Sequence, residues 1–369
     1  MRKGVMITGL VLVCAVGLPA ISPGPLVWRP EEGWVYEGGD QEDIEIANSA
    51  REQFGIAEAY ERNGDLGRAL GAYRSLVRRF PQTLEAPRAQ YKIGFLHEQN
   101  GDYQAAFKSY EELIKEYPRS KNFDSAVESM FRIATLFLDG ERVRLLGIPI
   151  MSSMERARKM YEAVIAAAPF GPFSPLAQFN IGQALERQDK YSQAVEAYQE
   201  VVAKYPLNDI ADDAQFQIGY AWMQTSSEGL YDQMATARAI EAFDDFLFRY
   251  PNSEKVPQAQ ENIEILLGRL KQSAFQIARF YDRKGDKTAA IIYYSAVLGA
   301  ESDSEEAQYA MRRIEELEGT MSPEEAAMAE EKAEARPATP VTPVQREAQA
   351  DVRTRPDYVG PQIKPSQRD

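Results

Sequence analysis

The residues that could do chemistry in this chain are few. Among 369 residues there is one histidine, His97, and one cysteine, Cys14. A structural zinc site needs four nitrogen or sulfur ligands, and a serine or cysteine nucleophile needs a histidine held by a third group. One ring and one thiol build neither. His97 also sits at a helix slot that Tyr60 and Trp222 occupy in equivalent segments, which makes it a core or edge ring. The 56 acidic residues fall mostly on amphipathic helices, where they form solvated faces, and no glycine-rich phosphate loop follows a strand because no strand is convincing. The expectation is a non-catalytic chain with no catalytic residues, no metal and no cofactor.

What does recur at fixed spacing is an aromatic ladder. Phe54, Tyr91, Phe131, Phe179, Phe216 and Phe275 each stand three residues before a small residue: Ala57, Gly94, Ala134, Gly182, Gly219 and Ala278. Arg51, Arg62 and Arg88 lie beside the first of them. Rings flanked by guanidinium groups suit an extended peptide with apolar side chains and a free carboxylate. Packing between successive helices would produce the same spacing, so both readings stand. On the first, the groove residues are Phe54, Tyr91, Phe95, Phe131, Phe179, Arg51 and Arg88.

The elements that carry the ladder are repeats. Gly55 to Pro81, Gly94 to Pro118 and Gly182 to Pro206 are variants of one block, for example GFLHEQNGDYQAAFKSYEELIKEYP. Such a block is the signature of the tetratricopeptide (TPR) repeat, a helix–turn–helix unit of about 34 residues that buries its apolar face only by stacking. Six copies align. A second small residue recurs at Ala69, Ala106, Ala157, Ala194, Ala239 and Ala290. Four residues on comes an aromatic: Tyr73, Tyr110, Tyr161, Tyr198, Phe243 and Tyr294. Gly-Asp at 64–65, 101–102 and 285–286 predicts the turn between the helices, and Pro81, Pro118, Pro169, Pro206 and Pro251 end the second helix. The fold class is therefore all-α: a right-handed superhelix, an α-α solenoid of about six units. In that geometry the aromatic of the first helix usually points into the concave wall. Repeats three and five carry inserts at 141–153 and 224–236, and 256–283 reads as one long helix.

The ends differ from the middle. Arg2 and Lys3, the apolar run Gly4 to Leu18 and Pro19-Ala20 read as a secretory signal over 1–20, with a retained anchor as the other reading. Cys14 lies inside that run; lipidation there would want a small residue where Val13 stands. Cleavage after Ala20 would leave no thiol for disulfides. Residues 21–48, with Trp28, Trp34 and Tyr36, read as an extended aromatic leader, 49–317 as the solenoid and 318–369 as a disordered tail. Within that tail, Ser322-Pro323-Glu324-Glu325 is a capping box that could open one short helix. The net charge of −14 argues against nucleic acid, whose phosphates need a clustered basic surface.

Two stretches, YPRSKNFDSAVESMFRIATLFLDGERVRLLGIPIMSS and FRYPNSEKVPQAQENIEILLGRLKQSAFQIARFYDRKGDKTAAIIYYSAVL, resemble the BamD (YfiO-like) outer-membrane protein assembly lipoproteins. The resemblance covers about 49–317. It implies a periplasmic scaffold at the inner face of the outer membrane, bound peripherally, whose partners are the barrel-forming BamA-like subunit and unfolded outer-membrane proteins. The receiving groove would be repeats one and two, with Phe54, Tyr91 and Phe95; the docking surface would be repeats five and six, around Phe275, Arg279 and Arg283. The chain departs from that family in lacking a good lipidation site and in having six repeats where better-known members have five. The alternatives are a YbgF-like envelope coordinator of wall synthesis and division, a generic TPR adaptor, or an enzyme framed on the solenoid.

Overall fold

The computed structural model describes residues 45–140, 153–228, 233–298 and 304–335, together with four short strands at 26–29, 33–36, 144–145 and 148–149. The signal segment 1–20, Cys14 and the tail beyond 335 lie outside the described residues. The chain divides into two compact bodies, Met1–Ala126 and Val127–Asp369, each described by itself.

In the N-terminal body, α1 (Ala50–Arg62) and α2 (Leu66–Arg79) form repeat one, and α3 (Glu85–Gln99) and α4 (Tyr103–Glu116) form repeat two. α1 packs on α2, α2 on α3 and α3 on α4, while α1 also reaches α3. Contact with the next helix and the one after it is how a solenoid grows. In the C-terminal body, repeat three is the rest of α5 (Phe123–Leu138) with α6 (Ser153–Ala167), and repeat four is α7 (Ser174–Glu186) with α8 (Tyr191–Lys204). Repeat five is α9 (Ile210–Glu228) with α10 (Gln233–Arg249), and repeat six is α11 (Val256–Lys284) with α12 (Lys287–Ser295). Beyond them α13 (Glu305–Glu318) and α14 (Pro323–Ala335) both pack on α12.

The repeat slots explain the packing. Tyr73, Tyr110, Tyr161, Tyr198, Phe243 and Tyr294 are fully buried, and those of repeats two, four and five lie against the small residue of the preceding helix. A Cβ placed on Gly94 would meet the Tyr110 ring at 2.6 Å, and one on Gly219 would meet Phe243 at 2.7 Å, so these rings lean directly onto backbone. Burying one such side chain is worth about 1.5–3 kcal/mol. Where the ring is tyrosine its hydroxyl also needs a partner, because an unpaired buried donor costs about 1–3 kcal/mol. Tyr73 donates to Glu61 at 2.8 Å, Tyr110 to Glu98 at 3.1 Å, Tyr198 to Glu186 at 2.9 Å and Tyr294 to Asp282 at 3.2 Å. Each acid stands four residues after the small slot. In repeat five that slot is Met223 and the ring is Phe243, which has no hydroxyl; in repeat three it is Leu138, and Tyr161 pairs with Thr135 at 2.9 Å and Asn180 at 3.0 Å.

The turns follow from backbone preference. Gly64, Gly101 and Gly285 hold φ of 76°, 77° and 78°, a left-handed conformation that glycine adopts without Cβ strain. The following Asp65 and Asp286 cap the next helix by accepting from Arg68 N at 3.1 Å and Ala289 N at 3.0 Å. Each terminating proline stands two residues beyond the last residue of α2, α4, α6, α8 and α10.

Four features depart from the sequence expectations. Strands do form: the backbones of β1 (Leu26–Arg29) and β2 (Gly33–Tyr36) pair antiparallel, Trp28 opposite Trp34, in the segment expected to be an extended leader. The β-branched and aromatic residues LVWR and GWVY favour such pairing. Within the first insert β3 (Arg144–Leu145) pairs with β4 (Ile148–Pro149). The second insert is mostly helix, since α9 runs on to Glu228 and α10 begins at Gln233. The tail begins later than 318, although the capping box read at Ser322–Glu325 does open a helix there. Ser322 accepts from Glu325 N at 3.3 Å while Glu325 accepts from Ser322 N at 3.1 Å, which starts α14, and Ala329 is fully buried.

Candidate binding surfaces

The six ladder rings sit first of all in the repeat cores. In the N-terminal body Phe54 is only 5% exposed; it meets Tyr73 edge-on at 5.4 Å, and the Arg88 guanidinium lies 4.4 Å above its ring. Tyr91 is half-buried, 5.5 Å from Tyr110. Phe95 is half-buried beneath Lys92, whose ammonium lies 5.5 Å over the ring and pairs with Glu61 at 2.7 Å. Arg51 and Arg88 are exposed and have no ion pair with another described residue. What repeats one and two offer a ligand is therefore two guanidinium groups without an ion pair to a described residue, the part-open rings of Tyr91 and Phe95, and Lys92. Phe54 acts beneath them as a platform for Arg88.

In the C-terminal body, Phe131 is half-buried between Tyr161 at 5.6 Å and Phe173 at 5.3 Å. Phe179 is buried against Tyr198 at 5.2 Å, and Phe216 against Phe243 at 5.4 Å. Each ring faces the second-helix aromatic of its own repeat, which is the packing alternative left open by the spacing. Phe275, half-buried, touches Tyr294 at 6.1 Å and Tyr309 at 5.6 Å, with the Arg279 guanidinium 5.9 Å from its ring. Arg283 stands apart from that pair, in an open cleft of about 380 Å³ lined also by Asp282, Tyr309, Arg312, Arg313 and Glu316. Tyr309 is the link between the two.

A recurrent glutamine had no place in the sequence expectations. Gln90, Gln178 and Gln215, four residues before the small slot, donate to the carbonyls of Ser109 at 2.9 Å, Ala197 at 3.1 Å and Ala242 at 3.2 Å. Each carbonyl belongs to the residue before the second-helix aromatic, so the amide ties the two helices of a repeat together. Gln53, at the same slot of repeat one, binds the entering strand of chain instead, accepting from Ala47 N at 2.8 Å and donating to Glu45 O at 3.3 Å. The signal was present as four glutamines in register, with Met130 and Ala274 in the other two repeats.

His97 is buried, as its helix slot implied. Its Nε2 accepts from Arg74 at 3.0 Å, which requires a neutral ring with the proton on Nδ1, the nitrogen 3.8 Å from Asp102. Burial, then the nearby Arg74 charge, hold its pKa below the usual histidine value. One acid is also unusual. Asp244 in α10 is 1% exposed and neither carboxylate oxygen has a hydrogen-bond partner; burial, with help from Asp245, pushes its pKa up to about 7. Among the described residues no cluster of His, Cys, Asp and Glu could hold a metal ion, and no helix is long and apolar enough to cross a membrane.

Comparison with known proteins gives two family matches, and neither takes in residues 122–150, most of the first stretch on which the resemblance was read. Residues 54–121 match a tetratricopeptide repeat family, and residues 151–333 match the YfiO family, described as outer membrane lipoprotein. No curated protein matches the chain. Similar solved structures include MamA from Desulfovibrio magneticus RS-1, at 18% identity over 57% of this chain and 99% of that one, with a TM-score of 0.30. The C-terminal part of a TPR protein from Cytophaga hutchinsonii gives 14%, 72%, 88% and 0.34, and PilW, a type IV pilus biogenesis factor, gives 14%, 72%, 100% and 0.27. At scores this low the likeness adds nothing to the fold, which rests on the helices and slots described above.

Proposed function

We propose that this chain, a tetratricopeptide repeat scaffold whose residues 151–333 match the YfiO family, serves outer-membrane β-barrel assembly. On this reading repeats one and two receive unfolded outer-membrane proteins through Arg51, Arg88, Tyr91 and Phe95, with Phe54 beneath. In the C-terminal body Phe131 keeps a part-open ring that could meet a client, whereas Phe179 packs in the core of repeat four. Repeats five and six dock the barrel-forming subunit around Phe275, Arg279 and Arg283. The protein works in the periplasm, at the inner face of the outer membrane, after export on its signal segment. It performs no catalysis of its own, in keeping with a family of interaction scaffolds.

The observation that carries the proposal is the extent of the YfiO match, which spans the repeats with the long α11 and the pair α13–α14. Guanidinium groups beside part-open rings give the receiving surface its chemistry, since arginine and aromatic residues dominate peptide recognition. The test is depletion of the protein in its native cell, with photo-crosslinkers placed at Tyr91 and at Arg279. Loss of outer-membrane barrels, with capture of nascent barrel proteins at Tyr91 and of the barrel-forming subunit at Arg279, is the expected result. Normal barrel levels would overturn the reading, and capture of wall-synthesis or division proteins would replace it with the coordinator role.

A further inference from the structure

The cleft between the last turn of α11 and the outer face of α13 has a built charge pattern. Tyr309, Arg312, Arg313 and Glu316 follow the i, i+3, i+4, i+7 spacing that puts side chains on one helix face, and Asp282 and Arg283 come from α11 opposite. Arg313 is already engaged. Its Nε and Nη2 donate to the two oxygens of Asp282 at 2.7 and 2.8 Å, and its Nη1 donates to Glu316 at 2.6 Å. Asp282 also accepts from Tyr294 at 3.2 Å. Both acids of the cleft are thus held by Arg313, and that fork pins α13 to α11. Arg283 and Arg312 remain exposed with no ion pair to a described residue, in a chain whose net charge is −14.

The apolar surface of the cleft comes from Tyr309, which is 40% exposed. Arginine and tyrosine are among the residue types enriched at the centres of protein–protein contacts. A cleft this open suits side chains presented along a chain better than a small molecule, which a site must envelop. A nucleic acid would bring many phosphates against an acidic protein.

We propose that this cleft binds an acidic, extended segment of a partner protein, with Arg283 and Arg312 each taking a carboxylate and Tyr309 taking the apolar residue between. The proposal rests on and deepens the docking surface of the barrel-assembly reading, with which it shares Arg283, but the two fail separately, because this test uses a peptide and no envelope component.

The test is fluorescence anisotropy on the full chain with a short labelled peptide in which glutamates alternate with leucine and serine, and with its glutamine counterpart. The glutamate peptide binds, the glutamine peptide binds at least about tenfold more weakly, and Arg283→Glu with Arg312→Glu weakens the glutamate peptide by about tenfold or more. Arg78→Glu with Arg119→Glu, the same charge change at exposed positions of the N-terminal body that belong to neither surface, leaves binding within about twofold. No binding, equal binding of the two peptides, or equal binding by the Arg283/Arg312 variant overturns the proposal. An equal loss in the Arg78/Arg119 variant overturns it too, by showing a general charge effect. Displacement by millimolar inorganic phosphate with the two peptides indistinguishable would assign the cleft to phosphate instead. Helix content by circular dichroism, unchanged in both variants, confirms that exposed positions were altered in a folded chain.

Discussion

Repeats four and five use the same slots with opposite chemistry. In repeat four Tyr198 is buried against Gly182 and its hydroxyl donates to Glu186, while the next residue, Gln199, faces solvent. In repeat five the ring is Phe243, the acid's slot holds Met223, and the next residue, Asp244, is buried without a partner. A slot in a repeat specifies volume first. Its polarity is then settled pair by pair, because a hydroxyl and its acceptor gain only when both are present. Repeat five removed one polar pair cleanly and yet kept a lone acid in the next position.

The comparison can be broken at its base by Tyr198→Ala, which empties the core slot of repeat four. We expect a loss of about 3–5 kcal/mol, seen as a large fall in the urea midpoint. A loss below about 1 kcal/mol would mean that the ring is not what holds α7 to α8.

The lone acid gives the next largest effect, and it depends on pH. Asp244 keeps its proton up to about pH 7 in the folded chain and loses it near its ordinary value of 3.8 when unfolded. The folded state therefore binds more protons between those values, and stability falls as pH rises from about 4 to 7. Asp244→Asn removes this slope and raises stability at pH 8 by about 2–4 kcal/mol, readable from thermal melts at pH 5 and pH 8. Parallel pH profiles for variant and parent would show that the acid is not buried in solution.

The pairing rule is sharpened by an exchange. Tyr198→Phe leaves the half-buried Glu186 without its donor, and Phe243→Tyr places a hydroxyl where Met223 cannot accept well; each should cost about 1–3 kcal/mol. Adding Met223→Glu to Phe243→Tyr should recover part of that loss, a coupling measured by a double-mutant cycle. Additive effects would sink the rule. Smallest is Gly101→Ala, which forces a Cβ onto a residue at φ 77° and should cost about 1 kcal/mol in the same melts.

Much of this was legible in the residues. The small slots of both helices, the aromatic four residues after the second of them, the Gly-Asp turn and the terminating proline all landed as read, because each obeys a local rule about helix spacing or backbone freedom. The binding surface was less legible. Ladder spacing alone could not say whether Phe54 or Phe179 faces a groove, and both are buried against the tyrosine of their own repeat. Burial depends on what the neighbouring helix brings, and periodicity is blind to that. The register of Gln53, Gln90, Gln178 and Gln215 was visible but uninformative until the carbonyls it reaches were located.

The sequence by itself determined that this is a stack of helical hairpins with almost no catalytic vocabulary, since periodicity, turns and residue inventory are local properties. Only the tertiary structure decided which polar groups are spent and which remain free. Arg313 is consumed by Asp282 and Glu316 while its neighbour Arg312 stays open, and Asp244 is buried where Gln199 is not. Those outcomes turn on partners 31 residues away or on the helix that packs above, because Coulombic pairing and desolvation act through space and leave no mark on spacing along the chain.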